Sequence, residues 1–106
     1  MTLSERIAAA AGPDREIDRE IIKVLWPHVE VPEGYQLHDP PHWTSDLNVV
    51  VGEVERRGWT LSLATTNDGR AYCNVWVNNE DMASGDAHSP CLALLAALVA
   101  AVEAKP

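Results

Sequence analysis

The sequence predicts an α+β domain: a small antiparallel sheet of two to three strands with helices on both faces, an α/β/α sandwich. Three observations carry this. Two stretches, around Ile17–Leu25 and Leu92–Val102, repeat apolar residues at helical spacing. Two alternating runs, Trp59–Thr65 and Ala71–Asn78, flank Asn67-Asp68-Gly69 and read as a β-hairpin. A chain of 106 residues is the size of one domain, residues 1–106, with enough surface to bury for a core but not for a core plus a deep enclosed site.

Along the chain, Leu3, Ile7, Ala10 and Ala11 share a helical face, and Gly12-Pro13 interrupts it, so residues 1–12 read as an N-terminal helical arm. Pro13 suits the first turn of a second helix, where its missing N–H costs nothing. Asp14 and Glu16 then lie at the positive end of the helix dipole. Ile17, Ile21 and Leu25, with Ile22 and Val24, form its buried stripe; Asp18, Arg19, Glu20 and Lys23 are expected outside. Pro27 stops this helix near Trp26. Residues 28–43 are turn-rich, with Pro32, Gly34, Pro40 and Pro41, and only Tyr35–His38 reads as extended. So long a connection is either a docked loop or a binding region.

Thr44 or Ser45 is placed to cap the next helix, and Asp46 adds favourable charge to its first turn. Val49-Val50-Val51 also fits a strand, but the spacing of Leu47, Val50, Val51 and Val54 favours a helix, with Glu53 and Glu55 outward. Gly58 ends it. In the hairpin, Trp59, Leu61 and Leu63 face one way. Across the turn, Ala71, Cys73, Val75 and Val77 oppose Tyr72, Asn74, Trp76 and Asn78. Glu80–His88 reads as an acidic loop containing Gly85. Ser89 as cap and Pro90 at the first position open a last helix, Cys91–Ala104. Leu92, Leu95, Val99 and Val102 mark its buried stripe, which Leu94 and Leu98 extend. A helix apolar on nearly every side needs cover from the sheet and from a second helix or a second subunit, so a homodimer through this helix is one expectation.

Sixteen Asp and Glu outnumber eight Lys and Arg, for a net charge of -8. That field repels phosphate backbones and anionic membranes, and it favours a basic protein partner. The start of the chain has no basic segment followed by an apolar one, and the longest apolar run is too short to span a bilayer. The cytoplasm is therefore the expected location. Cys73 and Cys91 read as small buried hydrophobes rather than a disulfide.

Catalytic and metal signals are weak. His28, His38, His42 and His88 have no close metal-ligand spacing, and Pro40-Pro41 breaks any helical pairing of His38 with His42. Cys91 follows His88 at a helix start, a place where a thiol can be activated, but a small apolar residue in a packed first turn is the better reading. Glu80, Asp81 and Asp86 share one segment without calcium-loop spacing, and the glycines form no phosphate-cradling set. No catalytic residue, cofactor or metal is expected. Trp76, on a mixed face with Tyr72 and with Asn74 and Asn78, is either a half-exposed aromatic platform, suited to protein contact more than to base stacking, or packed beneath a remaining helix.

Three segments resemble a known family. They are Gly12-Pro13-Asp14-Arg15-Glu16-Ile17-Asp18-Arg19-Glu20-Ile21; then His42-Trp43-Thr44-Ser45-Asp46-Leu47, with Val50-Val51 and Gly58-Trp59; and last the run from His88-Ser89-Pro90-Cys91 through Ala101. Their order and spacing are similar to the phage ABA-sandwich domain. Trp43 stands where that family commonly has tyrosine, and Asp46-Leu47-Asn48 departs from its Leu-Asp-Ala. The resemblance implies helices around a small sheet and a phage or prophage origin; it implies no catalytic residue.

The leading expectation is a phage accessory protein that acts by protein contact in the bacterial host cell, without catalysis. It would be an acidic inhibitor of a host nucleic-acid-binding or defence protein, presenting a continuous face from Asp14, Asp18, Glu80, Asp81 and Asp86. A second expectation is a small-ligand or nucleotide module with a pocket of Trp43, Tyr72, Trp76 and a histidine. A third is a self-associating structural subunit.

Overall fold

The computed structural model describes residues 2–12, 14–25, 42–78 and 81–104. The expected loop up to residue 41, its Tyr35–His38 segment, His28, His38, Pro13 and Glu80 lie outside the described residues. The elements run α1 (Leu3–Ala9), α2 (Arg15–Leu25), α3 (Leu47–Arg56), β1 (Thr60–Thr65), β2 (Ala71–Trp76), β3 (Met82–Ala87) and α4 (Pro90–Ala104). The class is α+β, with helices packed on a three-stranded antiparallel sheet of order β1-β2-β3.

Each helix start is chemically marked. Thr2 Oγ1 accepts from Glu5 N at 3.1 Å. Asp14 Oδ1 accepts from Glu16 N and Ile17 N at 2.9 and 3.2 Å. Asp46, rather than Thr44 or Ser45, caps α3 by accepting from Asn48 N at 3.0 Å. Ser89 Oγ accepts from Leu92 N at 3.2 Å, ahead of Pro90. α1 is not a free arm: Ile7 is fully buried and Ser4 Oγ donates to Ala96 O in the middle of α4 at 2.9 Å. Gly58, at φ +74°, turns the chain from α3 toward β1 in a conformation that L residues rarely adopt.

The hairpin forms as expected, with Gly69 at φ +83° in its turn. The third strand overturns the expected acidic loop: Met82–Ala87 pairs antiparallel with β2, Gly85 lying opposite Cys73 and Ala87 opposite Ala71. Ser, Gly and Asp made this segment look like a turn. It is a strand because β2 offers a full row of backbone partners and because α4 lies against it. A Cβ on Gly85 would collide with Ala93 O and lie 2.7 Å from Ala97 N, so α4 approaches the strand at backbone distance. Ala93, Ala96 and Ala97, all buried, are the small residues that allow this approach.

Within this class, α4 organises the packing. α4 is buried from Cys91 through Val99, and again at Ala101. It packs on β2 and β3 on one side and on α1, α2 and α3 on the others. α4 is thus the hub against which the sheet and the other helices pack, while α1 and α3 also touch the sheet at β3 and β1. The apolar surface of α4 that suggested a homodimer is covered within the chain. Among the described residues the helices lie on one sheet face, that of Ala71, Cys73, Val75 and Ala87.

Two acids expected outside are inside. Asp18 is fully buried and Glu53 is 4 % exposed. Burial acts to raise the Glu53 pKa, but hydrogen bonds from Arg56 and Arg57 outweigh it and hold the carboxyl below its ordinary value. Arg56 Nη2 and Arg57 Nε reach it at 2.7 and 2.8 Å. Arg57 Nη2 also donates to Leu25 O at 2.6 Å, tying α3 to the end of α2, and its guanidinium stacks 5.3 Å from the Trp59 ring centroid.

Candidate functional site

Strand alternation and register assemble one face directly from the sequence. Opposite the helices lie three cross-strand rows: Thr60, Trp76 and Met82; Ser62, Asn74 and Ser84; Ala64, Tyr72 and Asp86. Among the described residues, Tyr72 and Met82 are the exposed large hydrophobics, at 44 % and 52 %. Trp76 is half-buried at one end, where it walls a concavity of about 360 Å³ with Gly58, Thr60, Val77 and Asn78. The middle row is polar, with Ser84 Oγ donating to Asn74 Oδ1 at 2.8 Å. At the other end Arg70 closes on Asp86, Nη2 to Oδ1 at 2.6 Å. Two aromatic ends and a hydroxyl–amide centre suit a protein surface: apolar anchors with neutral hydrogen-bonding groups between them. Asp81 sits just beyond Asn78, whose Nδ2 donates to its Oδ2 at 2.9 Å.

The remaining predicted residues lie elsewhere. Asp14 caps α2, and its backbone N–H donates to Thr44 Oγ1 at 2.8 Å. Asp18 accepts from Thr44 N through Oδ1 and from Arg15 Nη1 through Oδ2, both at 2.8 Å. Arg15 also meets His42 Nδ1 at 2.9 Å. An arginine only donates, so this His42 nitrogen is the acceptor. Trp43, between these anchors, is 1 % exposed and belongs to the core. The expected acidic face is therefore not formed. Asp18 is buried, Asp14 lies on the helical side, Asp86 is ion-paired on the sheet side, and Glu80 is outside the described residues. The expected ligand pocket fails likewise, because Trp43 is in the helical core while Tyr72 and Trp76 line the open sheet face.

Sequence reasoning missed Asp18 and Glu53 although a signal existed. Asp18 lies three and four residues before Ile21 and Ile22, and Glu53 lies three after Val50, so both share a helical stripe with buried neighbours.

A second concavity, of about 340 Å³, opens where α3 and α4 begin, with Ser45, His88, Ser89 and Cys91 in its wall. Its thiol is not an activated nucleophile. Cys91 Sγ donates to Trp43 O at 3.1 Å. Burial, then the charges of Asp46 and Asp18, push its pKa up to about 11. The same carboxylates oppose a phosphate-bearing ligand. Burial raises Cys73 to about 11 as well. Iodoacetamide at pH 8 should thus leave both cysteines unmodified in the native protein and alkylate both in denaturant, read by mass spectrometry. Rapid native labelling of Cys91 would contradict this. The folded thiols keep their protons above pH 9, where the unfolded ones lose them, so stability should fall as pH rises from about 9 to about 11.

Among the described residues no three His, Cys, Asp or Glu side chains gather as a metal site, and no helix is long and apolar enough to cross a membrane. Fold and face together define a small α+β protein with a closed helical side and an open, aromatic-ended sheet face. Searches against protein-family models, curated proteins and solved structures yield no match.

Proposed function

We propose that this chain is a non-catalytic accessory protein of phage or prophage origin, working in the bacterial cytoplasm by binding another protein through the outer face of its sheet. The observation that carries the reading is that face: no described helix packs on it, it exposes Tyr72 and Met82, and half-buried Trp76 flanks it. Charge selects the partner. Net charge is -8, and no Lys or Arg occurs from Ala71 to Ala104, so a basic protein is favoured and nucleic acid is repelled. A host nucleic-acid-binding or defence protein has the required surface. The resemblance to phage ABA-sandwich domains supplies the biological setting.

The test is capture from host lysate on immobilised protein at low and moderate salt, with Tyr72→Ala/Met82→Ser as the face variant and exposed Arg19→Ala as the control. A basic protein held at low salt, released by moderate salt and lost only with the face variant is the expected result. Capture that survives the face variant, or none at all, rejects the reading.

A further inference from the structure

Among the described residues, β1 ends the sheet on one side and β3 on the other. α1 packs against β3, which also carries Asp86. β1 reads Thr60-Leu61-Ser62-Leu63-Ala64-Thr65, with no charge and no proline, and its pairing with β2 runs residue for residue without a bulge. Charges, prolines and bulges are what keep edge strands from pairing with other strands, and β1 has none of them. Its β2 neighbours on the outer face, Tyr72, Asn74 and Trp76, are neutral as well.

The alternation of an antiparallel ladder decides which backbone groups face the free edge. Thr66 N donates to Arg70 O at 2.9 Å at the turn end of the β1–β2 ladder. Two residues at a time along the register, Ala64, Ser62 and Thr60 therefore bond β2, and Leu61, Leu63 and Thr65 aim their N–H and C=O outward. The other ladder agrees. Val77 N donates to Asp81 O at 2.9 Å, which turns Ala71, Cys73 and Val75 of β2 toward β3. Among the described residues no group hydrogen-bonds the outward N–H and C=O of β1, and Leu61 and Leu63 are only half-buried.

We propose that β1 is the seam of a homodimer, pairing antiparallel with β1 of a second copy about a two-fold axis at Leu63. In that register Leu63 meets the partner's Leu63 and Leu61 meets the partner's Thr65, so every outward N–H and C=O gains a bond. The leucines close on one another on the helical side, and Ser62 lies opposite the partner's Ala64 without crowding. Opposed residues of an antiparallel pair point to the same side, so the outer faces of both copies, each with Tyr72 and Met82, join in one surface. A basic segment, which the net charge of -8 attracts elsewhere, finds no carboxylate on β1; a neutral strand fits there, and this chain supplies one. Self-pairing at this edge does not depend on what the outer face binds.

Sedimentation equilibrium and amide hydrogen exchange of the full chain, across protein concentration, provide the test. Exchange at Leu61, Leu63 and Thr65 should slow in step with the dimer fraction, while Ser62 and Ala64, bonded to β2, should not change. Each copy carries a charge of -8, so the dimer should tighten as salt rises from about 50 to about 500 mM, opposite to the capture of a basic protein. Thr65→Pro removes an outward N–H and leaves the β1–β2 ladder, and it should weaken the dimer about ten-fold or more. Ser62→Lys, at an exposed position, brings like charges to the seam and should act in the same direction. A monomer at every concentration, outward amides protected regardless of concentration, or a dimer indifferent to both variants overturns the proposal. Capture of another protein that is lost with Thr65→Pro while the chain itself stays monomeric also overturns it and gives the edge to a foreign strand. If the dimer forms and Tyr72→Ala/Met82→Ser leaves protein capture intact, only the contact reading falls. If capture needs Tyr72 and Met82 and the chain stays monomeric, only the dimer falls.

Discussion

Gly85→Ala is expected to destabilise the protein by about 3 kcal/mol or more, the upper end of overpacking costs. For a chain of this size that lowers the thermal midpoint by roughly 12 °C or more. The added Cβ would collide with Ala93 O and lie 2.7 Å from Ala97 N. Both are backbone atoms of α4, so no side chain can swing aside; the helix must lift off the sheet. Because α4 also contacts α1, α2 and α3, lifting it loosens the whole core. Gly52→Ala is the matched control. Its Cβ would meet nothing within 4 Å on α3, so it should stabilise by about 0.5–1 kcal/mol through helix propensity. Urea denaturation followed by circular dichroism compares them. A Gly85→Ala protein as stable as the parent would disprove the close approach of α4.

Asp18→Ala should cost about 2–4 kcal/mol, near the range for breaking a buried charged pair and reduced because the Arg15 side chain is 34 % exposed. The carboxylate satisfies the buried Thr44 N–H and the Arg15 guanidinium at once. Thr44 in turn bonds Asp14 in both directions, Oγ1 accepting from its N–H and donating to its carbonyl. This knot straps the start of α2 to the segment entering α3 and holds Trp43 in the core. Asp18→Asn keeps an acceptor for Thr44 N and should recover about half the loss, with the Thr44 amide still protected from hydrogen exchange. A loss below about 0.5 kcal/mol, typical of ordinary surface positions, would show that Asp18 is not a structural anchor.

Local periodicity made much of this fold legible. The stripe Ile17, Ile21, Ile22, Leu25 and the capped Ser89-Pro90 start are properties of neighbouring residues, and so is the alternation across Asn67-Asp68-Gly69. They survive folding unchanged. The same alternation puts Tyr72, Asn74 and Trp76 on one face of β2, since side chains two residues apart in a strand point the same way. That the face is open was not legible, because cover depends on where distant helices settle.

The difference is one of range. Helix and strand periods, caps and turn glycines are set by steric and hydrogen-bonding preferences within a few residues. β3, the burial of Asp18 and Glu53, and the central place of α4 depend on partners far along the chain. Gly85 reads as a turn residue until Ala93 and Ala97 lie against it; only then does its missing side chain become the condition for the sheet and helix to meet.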